Sequence, residues 1–168
     1  MKNINPENAK RILIISDTHS HQEVLRELME RLERPDLVIH CGDLECPPHQ
    51  IQQIVGCPLI AVSGNCDYID SLPAEEEIQI GKYKVWITHG HRQAVNTSTA
   101  IIMGMAKEKG VDIVMFGHTH RPFLKQEKKL VAINPGSLVF PRQESREATF
   151  AMMEIDESGQ AHFTLLKL

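Results

Sequence analysis

Residues 11–19 read "RILIISDTH". The first six, Arg11 to Ser16, form a short β-branched run that predicts a buried strand over 11–16. The apolar residues then stop, and a carboxylate, a hydroxyl and an imidazole follow at Asp17, Thr18 and His19. Open α/β sheets bind ligands beyond the carboxyl ends of their strands, which is where D-x-H falls. The arrangement recurs along the chain. "DLVIHC" (36–41) runs into Gly42-Asp43, and "PLIAV" (58–62) into Gly64-Asn65. "YKVWIT" runs into His89-Gly90-His91, and "VDIVMF" (111–116) into Gly117-His118-Thr119-His120. Five strand ends of one chemical character predict one shared site. The adjoining glycines permit tight turns and close backbone approach.

Between and after these strands the periodicity changes. "HQEVLRELMERLE" (21–33) carries Val24, Leu25, Leu28, Met29 and Leu32 on one helical face and predicts an amphipathic helix. A short helix is expected over 48–55 after Pro47-Pro48. Another is expected over 97–110, with Thr97 or Ser98 as N-cap and Gly110 just past its end; its methionines read as core. Strands are expected at 77–80 and 83–89, joined as a hairpin by "GK", and at 129–134, 148–155 and 161–168. The first half alternates strand and helix and the second is mostly strands. The pattern predicts an α/β domain, parallel early and antiparallel late.

The 168 residues fit a single domain over 1–168, long enough to bury one real core. A formal net charge of −4 argues against non-specific binding to nucleic acid or an anionic membrane. No run approaches the ~20 apolar residues that span a bilayer. Cys41, Cys46, Cys57 and Cys66 show no C-x-x-C spacing. With no apolar leader in "MKNINPENAKR" they read as reduced thiols of a cytoplasmic protein. Nothing in the sequence opposes a homo-oligomer.

Six of the nine histidines fall in three H-x-H pairs, His19/His21, His89/His91 and His118/His120. Each motif alone has an ordinary structural explanation. His40, His49 and His162 read as structural residues. Together the clusters offer two carboxylates, an amide and several imidazoles, more than one tetrahedral ion requires. They suit two ions sharing a carboxylate, and the mixed N/O donors favour Mn, Fe, Zn or Ni over Mg or Ca.

The ordered set D-x-H, G-D, G-N, H-G-H, G-H-x-H resembles the calcineurin-like metallophosphoesterase superfamily over residues 11–142. "GNCD" (64–67) and "NPGS" (134–137) followed by Pro141-Arg142 resemble its small bacterial and archaeal phosphodiesterases of the YfcE type. The resemblance implies a four-layer α/β/β/α sandwich of two mixed sheets with two divalent transition-metal ions, Mn foremost, at one edge. One ion would be held by Asp17, His19, Asp43 and His120. The other would be held by Asp43, Asn65, His89 and His118, with Asp43 bridging. His91 would act from behind the ligands or touch substrate, and Asp43, Asn65 and His91 would serve catalysis. Two ions at +4, two aspartates at −2 and a bridging hydroxide at −1 leave +1, which suits a small phosphoester substrate.

Cys66, Asn134, Gly136, Ser137 and Arg142 are expected to border that substrate. "NPGS" is also an ordinary turn sequence, and Arg142 equally suits a surface ion pair. Many family members carry histidine where this chain has Cys66, as a proton donor near the leaving group. A thiol is a weak donor and reads more simply as filling a small apolar space. A phosphodiesterase is the leading expectation. A phosphomonoesterase or nucleotide pyrophosphatase is the alternative on the same site. A scaffold is the third, because the superfamily includes a retromer subunit that uses the fold for protein contacts.

Overall fold

A computed structural model describes residues 8–68 and 72–168. In chain order the elements are β1 (Arg11–Ile15), α1 (Gln22–Arg31), β2 (Leu37–His40), α2 (Pro48–Val55), β3 (Leu59–Ala61), β4 (Glu75–Ile80), β5 (Tyr83–Thr88), α3 (Thr99–Lys109), β6 (Ile113–Met115), β7 (Pro122–Glu127), β8 (Leu130–Pro135), β9 (Thr149–Ile155) and β10 (Ala161–Lys167). A single 3₁₀ turn, His91–Gln93, follows β5.

The strands form two five-stranded sheets, ordered β10-β9-β1-β2-β3 and β4-β5-β6-β8-β7. In the first, β1, β2 and β3 are parallel, because α1 and α2 supply the crossovers. β9 pairs antiparallel with β1 on its other side. In the second, β5, β6 and β8 are parallel and β4 and β7 pair antiparallel at the edges.

The expectation of antiparallel pairing late in the chain therefore fails for β6 and β8. Its cause is β7, which the sequence reading missed. "PFLKQE" is a half-exposed edge strand carrying Lys125, Gln126 and Glu127, so it lacks the apolar run that marks a buried strand. With β7 inserted as one arm of a hairpin, β8 returns parallel to β6.

Alternation along the strands builds the layers. Ile12 and Ile14 of β1, with Leu37 and Ile39 of β2, face the second sheet and meet Val85, Ile87, Ile113 and Met115 from it. Leu13 and Ile15 point the other way, onto Leu25 and Leu28 of α1 and Ile51 and Val55 of α2. Trp86 and Val114 leave the second sheet on its outer face and pack on Ile102, Met103 and Ala106 of α3. Three apolar layers thus separate helix, sheet, sheet and helix, each set by the period-two alternation of strands. Met105, expected in the core, is 36% exposed, because only one stripe of α3 meets the sheet.

α3 is capped as its sequence demands. The Ser98 hydroxyl accepts from Ala100 N at 3.2 Å, and Gly110 closes the helix at φ 68°. The carboxyl ends of the parallel strands of both sheets meet along one edge, so their connecting loops crowd into a single place.

Candidate metal centre

Asp17 and His19 leave β1, Asp43 leaves β2, Asn65 leaves β3, His89 leaves β5, and His118 and His120 leave β6. Asp17, His19, Asp43 and His120 each present a ligand atom, all within 4.8 Å of one another. Asp17 and Asp43 are buried under the loops, as are His89 and His120.

The hydrogen bonds around these groups leave lone pairs aimed inward. Nδ1–H of His89 donates to the Cys41 carbonyl at 2.7 Å, and Nδ1–H of His120 donates to the Phe140 carbonyl at 2.7 Å. With Nδ1 so spent, Nε2 is the atom each ring presents to the site. His120 Nε2 lies 3.0 Å from Asp17 Oδ1, and His89 Nε2 lies 3.3 Å from Asp43 Oδ2. His89 Nε2 is also 3.1 Å from Asn65 Oδ1, and His19 Nε2 is 3.4 Å from His120 Nε2. Electron-pair donors brought this close require a cation or a proton between them.

The two carboxylates are prepared in the same manner. Asp17 Oδ2 accepts from the Ser16 hydroxyl at 2.6 Å and from His118 N at 3.1 Å, whereas its buried Oδ1 accepts no hydrogen bond. Asp43 Oδ1 accepts from Cys66 N at 2.8 Å, and its Oδ2 faces His89 on one side and His19, 3.9 Å away, on the other. Each aspartate thus spends one oxygen on the protein and offers the other to the site. Burial raises the pKa of both, but contacts with His120 for Asp17 and with His89 for Asp43 outweigh it and hold both below the ordinary carboxylate range. The donor set and its orphaned oxygen fit divalent metal ions.

His118 sits differently. Its ring centroid is 5.0 Å from that of His89, and its Nε2 pairs with Asn96 Nδ2 at 2.8 Å. Ligation through that atom would displace Asn96, a residue the sequence reading did not single out. His91 stacks near both rings, at 5.4 Å from His89 and 6.0 Å from His118, and its buried Nδ1 has no partner. Partial burial, then the neighbouring His89, lower its pKa, so it is neutral at neutral pH.

The "NPGS" turn lies beneath the loops. The Asn134 amide donates to the Gly117 carbonyl at 2.8 Å and to the Thr119 hydroxyl at 3.1 Å, and its oxygen accepts from Gly136 N at 2.9 Å. The Ser137 hydroxyl donates to the Asp17 carbonyl at 2.8 Å and accepts from Phe140 N at 3.0 Å. Asn134 and Ser137 are both fully buried, so their polar atoms brace the ligand loops. Arg142 is exposed, and its backbone N donates to the His120 carbonyl at 3.0 Å.

Cys66 is half-buried beside Asn65, whose amide donates to its Sγ at 3.3 Å. Burial, then the Asp43 carboxylate, push the thiol up to about 11, so it is protonated at neutral pH. The neighbouring Asp67, missed as a functional residue, accepts from Asp43 N and Gly64 N at 2.8 Å each and from Glu45 N at 2.7 Å. It ties the loop after β3 to the loop after β2. The signal was a carboxylate next to the Gly-Asn turn, a residue type that accepts backbone N–H groups locally.

Gly64 and Gly117 are among the glycines that space requires. A Cβ on Gly64 would lie 2.0 Å from Asp43 Oδ1, and one on Gly117 would lie 1.9 Å from Ser16 Oγ.

Residues 11–158 match the family described as the calcineurin-like phosphoesterase superfamily domain. The Bacillus subtilis protein named "Probable metallophosphoesterase YsnB" is 33% identical over 150 residues, which span 88% of this chain and 86% of that one. A phosphodiesterase of Methanocaldococcus jannaschii is 31% identical over 75% of this chain and 82% of its own. Among solved structures, a predicted phosphoesterase of Streptococcus pneumoniae superposes with a TM-score of 0.80 at 30% identity, covering 95% of this chain and 90% of that chain. Zinc-bound Vps29 of Entamoeba histolytica superposes at 0.74 with 23% identity, covering 94% and 98%, a likeness of fold.

Proposed function

This chain belongs to the calcineurin-like phosphoesterase superfamily, and from that membership we propose that it is a phosphodiesterase working with two divalent transition-metal ions, manganese foremost. Asp17, His19, Asp43 and His120 would hold one ion. Asp43, Asn65, His89 and His118 would hold the other, with Asp43 common to both. The observation that carries this reading is the set of bare lone pairs, Asp17 Oδ1 and Nε2 of His89 and His120, converging on the free oxygen of Asp43. Bound there, such ions would supply Lewis acidity and activate a water as nucleophile near neutral pH.

The protein's own part is placement and charge. Asp43 and Asn65 fix where the phosphorus must sit. His91, neutral and with an unpartnered Nδ1, stands beside the site ready to take or give one hydrogen bond. Two ions, two aspartates and a hydroxide sum to +1, which matches a singly charged diester better than a dianionic monoester. The retention of all seven ligand types favours an enzyme over the scaffold use of the fold.

The test is a matched panel with manganese added, bis(p-nitrophenyl) phosphate against p-nitrophenyl phosphate. The diester should have the higher kcat/KM, chelation should abolish turnover, and Asp43→Ala should lose metal and turnover together. A tenfold preference for the monoester would move the assignment to a phosphomonoesterase. Near-normal activity in Asp43→Ala after chelation and metal readdition would remove the shared-carboxylate assignment.

A further inference from the structure

A cavity of about 570 Å³ opens beside the metal-ligand loops, between the 3₁₀ turn after β5 and the start of β7. Pockets of this volume hold small organic ligands. It shares walls with the site. Asn96, which pairs with His118, lines it, as does Thr119, the residue between His118 and His120. Arg142, tied through its backbone to His120, lines it as well.

Its apolar part is Phe123, half-buried and backed by the fully buried Phe116 at a ring-centroid distance of 6.0 Å, next to Val95 and Pro122. Two guanidinium groups, Arg121 and Arg142, stand at its wall, and both residues are exposed. Among the described residues neither Arg121 nor Arg142 has a carboxylate within 4.0 Å, a state they share with several surface cations such as Arg26 and Arg92 but which here falls on two residues lining one cavity.

In a chain of net charge −4, two guanidiniums that line one cavity together with Phe123 concentrate positive charge beside an apolar ring. A guanidinium binds phosphate through paired N–H donors and also stacks on flat rings. The site alone, near +1, is matched by the single charge of a diester and has no use for a further +2. The cavity therefore adds recognition for a second anion carried on a flat, apolar-faced ring.

Resting on the phosphodiesterase reading, we propose that the substrates are phosphodiesters bearing a second phosphate on a nucleoside, with Arg121 and Arg142 binding that second phosphate while the linking phosphate lies at the metal-ligand residues. The reaction is hydrolysis. Water adds across the linking P–O bond, the ribose oxygen leaves with a proton, and the phosphate stays on the other nucleoside. The second phosphate is untouched.

The test compares two dinucleotides that differ by one terminal group, pApA and ApA, with bis(p-nitrophenyl) phosphate as a diester lacking any second anion. The manganese-loaded full chain should give a kcat/KM for pApA at least tenfold above that for ApA, the difference lying mainly in KM. Arg121→Gln should cut this ratio at least fivefold, and Arg121→Gln with Arg142→Gln should bring it to about one. Equal turnover of pApA and ApA by a protein that cleaves the aryl diester would overturn the proposal and leave the phosphodiesterase reading standing. So would a ratio that survives the double substitution. Failure on all three compounds would remove the phosphodiesterase reading. The cavity would then be judged by calorimetric binding of pApA against ApA to the same proteins, where equal affinities overturn it.

Discussion

At the scale of single residues, the site is built by deciding which atom of each side chain is spent and which is left over. His40 shows the same logic outside the ligand set. Its Nδ1 accepts from Gly42 N at 3.2 Å and its Nε2 meets the Thr18 hydroxyl at 2.9 Å. A second proton on Nδ1 would oppose the Gly42 N–H, and burial drives the pKa down to about 4. The folded state thus prefers neutral His40, while the unfolded chain protonates it near pH 6.5. That preference contributes fully above pH 6.5 and is lost as pH falls toward 4.

Between pH 7 and pH 4.5 the loss attributable to His40 is about 2–3 kcal/mol. Denaturant unfolding of the protein and of His40→Gln at the two pH values should show that the variant loses less stability by that amount. Comparing the pair cancels the opposed shifts of His89, held up by its carboxylates, and of His91 and His118, held down by burial. Parallel losses in both proteins would refute the assignment. His40 read as an ordinary structural residue from sequence, because nothing in "DLVIHC" reveals that its ring reaches the loop after β1. Asp17, His19, Asp43 and the pairs His89/His91 and His118/His120 were legible because their chemistry breaks an apolar run, whereas His21 of the third pair turns to Glu23. Asn96 was not, because it sits in a polar stretch where one more amide carries no signal.

At the scale of elements, the loops hold the proposed ligands in costly backbone. Asp17, His19, Asp43, His118 and His120 all have left-handed φ, between 44° and 68°. L-residues pay about 1–2 kcal/mol each for that region, so something must oppose relaxation. Asp67 is one such brace, and Asn134 and Ser137 are others. Removing Asp67 strips the side-chain acceptor from three backbone donors. Asp67→Ala should therefore cost about 3 kcal/mol of stability and weaken metal binding about 10–100-fold, while Asp67→Asn, which keeps one acceptor oxygen, should fall between. Thermal unfolding and metal titration of the three proteins measure this. An Asp67→Ala protein with unchanged stability and affinity would show that the loops need no such tie.

The strands and helices were largely legible at this scale because alternation and 3.6-residue periodicity track burial on one face. β7 was not, since an edge strand buries too little to leave a pattern. "NPGS" was legible as a turn, but the ties of Asn134 to Gly117 and of Ser137 to Asp17 were not, because those partners lie far away in sequence.

At the scale of the molecule, two sheets built partly from parallel strands bring carboxyl ends from both halves of the chain to one edge. β1, β2 and β3 supply Asp17, His19, Asp43 and Asn65, and β5 and β6 supply the remaining histidines. The four layers followed from the resemblance and not from the apolar pattern, which described each strand without saying which sheet it joins. No helix among the described residues is long and apolar enough to cross a membrane. Because the ligands converge only when the sheets are packed, metal that binds the folded chain alone should stabilise it, by about 2.7 kcal/mol at a hundredfold excess over Kd.

The central claim is that two ions share Asp43 and that hydrolysis needs both. It is tested most directly by titrating chelated protein with manganese in a calorimeter while assaying bis(p-nitrophenyl) phosphate on the same samples. Binding should saturate at two equivalents per chain, with activity rising only as the second equivalent binds. Saturation of both binding and activity at one equivalent would contradict the claim.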